Sequence, residues 1–158
     1  MKLGAPFYSE TELDLENVVE ALVRERFPAI REVKNVYQEE ESSMTIKRHD
    51  PTKILSGAVE HGDTVYLAGQ VAKDVSRDIK GQTEDILGQI DALLAKCGSS
   101  KSKILYATIW VTDIRHRDPM NQVWSAWADP KNLPARACIE AKLADSRMLV
   151  EIAVIAAK

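Results

Sequence analysis

Two different hydrophobic periods run along this chain. From about residue 10 to 27, Leu15, Val18, Val19, Leu22 and Val23 recur at helical spacing behind a Ser9-Glu-Thr-Glu12 capping box. Pro28 stops or kinks that amphipathic helix, residues 29–37 fit a short strand or a continuing helix, and Glu39 to Ser43 is a solvated linker. From Met44 the pattern turns to short alternating segments. Thr45–His49 reads as a strand, and Asp50-Pro51 marks a turn. Ile54–Glu60 and Thr64–Val71 read as strands joined at Gly62-Asp63. Gly69 inside the second of these predicts a bulge or a close approach to the backbone.

A loop over 73–81 leads into a helix from Thr83 to Lys96, with Ile86, Leu87, Ile90, Leu93 and Leu94 as its buried stripe and Gly98 as its C-cap. Ile104–Val111 is the most hydrophobic strand, with Leu105, Ala107, Ile109 and Val111 assigned to one face. Asp118-Pro119 opens a second helix that presents Met120, Val123, Trp124 and Trp127. Asn132–Ala141 and Met148–Ala156 then read as a hairpin or near-hairpin across a polar connection. The order ββ(β)αβαββ lacks regular βαβ alternation and predicts an α+β sheet with two helices packed on one face. The other face then needs cover, which a trimer would supply. Two domains are expected, an N-terminal extension over 1–43 and a body over 44–158.

Composition narrows the function classes. Residues 1–43 hold five basic and ten acidic side chains, net −5, whereas the remaining sixteen and fourteen give the body +2. Neither part has the basic stripe that nucleic-acid binding requires. No apolar run approaches the roughly 20 residues needed to span a membrane, and no secretory core opens the chain, so cytoplasmic residence is expected. Cys97 and Cys138 are far apart and His49, His61 and His116 are scattered, which suggests buried thiols and no metal site. No dinucleotide, P-loop or nucleophile-elbow motif occurs. The candidate chemistry is Arg136 and Glu151, charges set in otherwise apolar strands. They form either a shared small-acid pocket or an ordinary cross-strand ion pair.

The body resembles the RidA (YjgF) family of reactive-intermediate deaminases over residues 44–158. The resemblance rests on Ala68-Gly-Gln-Val71, the helix from Gln82-Thr83 to Cys97-Gly98, Ile109-Trp-Val-Thr-Asp113, Met120-Asn121, Pro134-Ala-Arg-Ala-Cys138-Ile-Glu140 and Val150-Glu-Ile152. Met44-Thr-Ile46 and Gln89-Ile-Asp-Ala92 point towards YoaB-like members. The resemblance implies chorismate-mutase-like subunits in a homotrimer, with clefts at the subunit interfaces and no metal or organic cofactor. The implied reaction is hydrolysis of 2-enamino or 2-imino acids to 2-keto acids and ammonia. By the same resemblance Arg136 grips the substrate carboxylate and Glu151 orients or deprotonates water. Asn121 supports the pocket, the backbone at Cys138 faces the imino nitrogen, and Gly69 and Gln70 lie on the pocket strand. Two family hydroxyls are missing, since Ile54 stands where a tyrosine is usual and Ala68 where a serine is, which makes the expected pocket more apolar. The alternatives are a non-catalytic small-acid binding or regulatory trimer, and RNA cleavage.

Overall fold

The structure, a computed structural model, describes residues 45–158, and the chain divides into two units at 42/43. The expected N-terminal helix and linker lie outside the described residues. β1 (Lys47–Pro51), β2 (Ser56–His61) and β3 (Thr64–Leu67) form an antiparallel meander, followed by the short β4 (Gln70–Val71). Then come α1 (Ile79–Lys96), β5 (Ile104–Val111), α2 (Arg117–Trp127), β6 (Ala135–Glu140) and β7 (Val150–Ala157). The sheet order is β1-β2-β3-β7-β5-β6, with β4 also on β7 and only the β5–β6 pair parallel.

The alternation along β7 sets the two layers. Val150, Ile152, Val154 and Ala156 are buried against the helices, while Glu151, Ala153, Ile155 and Ala157 face the opposite side and are half-buried. α1 lays Ile86, Leu87, Ile90 and Leu94 on the covered face, and α2 adds Met120 and Trp124. Each such fully buried aliphatic side chain contributes about 1.5–3 kcal/mol through its removal from water. The uncovered face carries a cross-strand band of Val59, Tyr66, Ile155 and Tyr106, in register across β2, β3, β7 and β5. Among the described residues nothing covers it, and Tyr66 remains 45% exposed.

Four features that bear on the site differ from the sequence expectation. β1 runs through Asp50 and Pro51, with Asp50 at φ 47°, and the reversal comes at Thr52–Leu55. There Thr52 Oγ1 accepts from the Ile54 and Leu55 amides and donates to the Leu55 carbonyl. α1 begins at Ile79 rather than Thr83, because Asp78 caps it by accepting from the Gly81 amide at 2.8 Å. Leu105 leaves the buried face through a register shift between Ile104 and Tyr106 and is 53% exposed. The final pair is no hairpin, since β5 lies between β6 and β7.

The end of α1 follows its sequence. Gly98, at φ 72°, donates to the Ala95 carbonyl and Ser99 to that of Leu94, a Schellman closure. Gln82 is fully buried. It donates to the Val75, Arg77 and Arg147 carbonyls and accepts from the Leu149 amide, fastening α1 to the connection between β6 and β7.

Candidate functional site

Insertion of β5 between β6 and β7 decides where the two candidate charges go. Arg136 is in register with Ala107, a core position, so it projects on the helix side of the sheet. Glu151 is in register with Trp110, three residues along β5, and so projects on the uncovered side. In one chain the two residues stand two strand spacings, about 9–10 Å, apart across the sheet and three residues, about 10 Å, apart along it, with their side chains on opposite faces. They form no cross-strand ion pair and share no pocket within one chain, so the hairpin-based readings are both corrected.

Arg136 has its own surroundings. Its guanidinium lies 5.1 Å from the centre of the Trp124 ring, a cation–π contact that holds a flexible side chain against a rigid plane. It borders a pocket of about 380 Å3 with Trp124, Ser125, Pro130, Leu133 and Pro134. Among the described residues no carboxylate pairs with it, and in a single chain it is exposed rather than partly buried. Cys138 lies on the same side of β6 and packs on the core. Burial pushes its thiol up, against the pull of Arg136 and Arg117. Asn121 on α2 holds a buried Oδ1 without a hydrogen-bond partner among the described residues, as does His116 at Nδ1. An orphaned buried acceptor is costly and marks a place where a donor belongs.

Glu151 meets the Gly69 segment. The five residues from Tyr66 to Gln70 span the same stretch of β7 as the four from Ile155 to Ile152, so Ala68-Gly69 bulges out of the sheet. A Cβ on Gly69 would lie 2.9 Å from Glu151 Cδ and closer still to Oε1. The close approach expected at Gly69 is therefore the Glu151 carboxylate. Gln70 donates back to the Ala68 carbonyl at 2.9 Å, which stiffens the bulge. Ile54 sits apart from all of these on the β1–β2 loop and is 90% exposed. The structure thus gathers two half-sites, Arg136 with Cys138 on one face and Glu151 with Gly69 on the other, and leaves Ile54 with neither.

One further group was not legible in the sequence. His49, Glu60 and Cys97 come from β1, β2 and the C-cap of α1, are all buried, and offer ligand atoms within 4.8 Å of one another. His49 Nε2 bonds Glu60 Oε1, and Lys158 Nζ pairs with Glu60 Oε2 at 2.5 Å. Burial, reinforced by Glu60, pushes the Cys97 thiol up. Residues 11 and 37 apart carry no local signal, and only the fold joins them.

A mixed sheet backed by two helices, with an arginine presented on its parallel edge strand, defines an α+β class of small domains. The family model described as Endoribonuclease L-PSP matches residues 45–158. A RutC family protein of Haemophilus influenzae is 45% identical over 72% of this chain and 98% of its own length. The RutC family protein YoaB of Escherichia coli is 40% identical, over 72% of this chain and 99% of its own. A YjgF family structure from Neisseria meningitidis superposes with TM-score 0.72 at 40% identity, covering 73% of this chain and 97% of that one. The chain belongs to the RidA/YjgF family, also called RutC, and is close to its YoaB-like members. No described helix is long and apolar enough to cross a membrane.

Proposed function

We propose that the protein hydrolyses reactive 2-imino and 2-enamino acids to 2-keto acids and ammonia, in a homotrimer whose clefts combine the two half-sites from neighbouring subunits. The observation that carries this reading is Arg136, a guanidinium fixed over Trp124 beside a small pocket and lacking a carboxylate partner among the described residues. A planar two-pronged donor of this kind suits a substrate carboxylate. The uncovered apolar band supports assembly, since it supplies a face that a second copy can cover. Assembly would also bring the Glu151 of one subunit towards the Arg136 of the next.

The chemistry asks little of the protein. An enamine first becomes an imine by taking a proton at carbon and giving one up from nitrogen. Glu151 then takes a proton from water as its oxygen bonds the imine carbon, and the nitrogen is protonated in turn. The carbinolamine collapses, ammonia leaves, and the carbonyl forms. Because the imine is already electrophilic, positioning and one base suffice. Residence in the cytoplasm agrees with this role.

The test follows loss of a 2-imino acid generated in situ by an amino-acid oxidase. Acceleration by the protein that disappears in Arg136→Ala is the expected result, and an unchanged rate in that variant refutes the assignment. Apolar Ile54 and Ala68 favour a second reading, a small-acid binding protein without turnover. Keto-acid binding by calorimetry with no imine loss would establish it. RNA cleavage by the purified chain, lost in Arg136→Ala, would establish the third.

A further inference from the structure

We infer that His49, Glu60 and Cys97 form a binding site for a zinc-class divalent ion, separate from the Arg136 and Glu151 half-sites, that staples β1 and β2 to the end of α1. The three ligand atoms converge from three elements into the covered layer, where His49 and Glu60 are in register with the core residues Ala58 and Val65. Burying an imidazole, a carboxylate and a thiol together is unfavourable unless each is fully satisfied. The donor set is nitrogen, oxygen and sulfur, which suits a borderline-soft ion with tetrahedral habits and excludes magnesium or calcium. Ligand bonds of about 2.0–2.3 Å place tetrahedral donors roughly 3.3–3.8 Å apart, so the donors, all within 4.8 Å, need a small rearrangement in which the hydrogen-bonded His49–Glu60 pair opens to admit the ion. Cys97 caps the C-terminal end of α1, where the helix dipole favours a cation.

Charge balance is met within the cluster. Glu60 and the Cys97 thiolate neutralise a divalent ion, and the thiol proton leaves to solvent. His49 binds through Nε2, its proton moving to Nδ1. Lys158 holds Glu60 at 2.5 Å without the ion, and Lys47 stands 3.8 Å away. The Lys158 side chain is 38% exposed, so its ammonium can turn out to water as the metal enters. It acts as a competing cation, a stand-in for the ion it gives way to.

The experiment titrates the full metal-free chain with Co2+ and reads the thiolate-to-cobalt charge-transfer and visible d–d absorption. One equivalent per chain and tetrahedral spectra are expected, with Zn2+ displacing the colour and raising the thermal midpoint. Lys158→Gln should bind roughly tenfold more tightly or better, the scale on which a like charge at hydrogen-bond distance shifts an ionic equilibrium. Cys97→Ser should lose the charge-transfer band. Because the chain has two cysteines, a full band in Cys138→Ser assigns the sulfur to Cys97 even if Cys97→Ser does not fold. No charge-transfer band in the wild-type chain or in Lys158→Gln with cobalt in excess overturns the inference. So does a band that survives Cys97→Ser or vanishes in Cys138→Ser.

Discussion

Subunit complementation gives the sharpest test of the two half-sites. Arg136 and Glu151 project from opposite faces of one sheet, so a cleft using both must take them from different chains. Losing one member of a hydrogen-bonded charge pair costs about 2–5 kcal/mol, so Arg136→Ala and Glu151→Gln should each slow imine hydrolysis by roughly thirtyfold or more. When the two inactive variants are unfolded, mixed in equal amounts and reassembled, random placement in a closed head-to-tail ring restores about one quarter of the interfaces. Those interfaces take Arg136 from a Glu151→Gln chain and Glu151 from an Arg136→Ala chain. The mixture should therefore recover about one quarter of wild-type activity in the oxidase-coupled assay. Activity no higher than the mean of the separate variants, in a mixture shown to contain both chains in one assembly, would refute the shared-cleft reasoning.

Three further outcomes follow from individual contacts. Gly69→Ala places a methyl group against the far end of the Glu151 side chain, which can swing aside. The turnover number should fall while the thermal midpoint stays nearly unchanged, and a large loss of stability with normal turnover would contradict this. Gln82→Leu strands the Leu149 amide and the carbonyls it serves, so urea unfolding should show a loss of roughly 2–5 kcal/mol. Asp145 is held down to about 2 from 3.8 by the Arg147 side chain and amide. A depressed carboxylate stabilises the fold above its unfolded value and loses that contribution as pH falls through the folded one. The thermal midpoint of Asp145→Asn should therefore be less sensitive to pH between about 4 and 2 than that of the wild type.

Much of the fold was legible because its signals are local. The stripe on α1, the Gly98 stop, the Gly62-Asp63 reversal and the alternation of β7 each depend on residues within a turn or a strand of one another. The first turn of α1 is hidden from local pattern, because its Asp78 cap precedes a polar segment whose Gln82 serves a connection 65 residues away. Leu105 departs from simple alternation because a register shift inverts the parity along the start of β5.

The sequence by itself determined the two periodicities, the α+β class and the identity of the arginine, since propensity, spacing and family motif are properties of the chain in order. Tertiary structure decided which face each charge occupies. Periodicity shows that neighbours alternate, but not which strand is inserted between two others, and β5 between β6 and β7 is what parts Arg136 from Glu151. It also decided that His49, Glu60 and Cys97 meet, because three donors on three elements become neighbours only when the helix closes over the sheet.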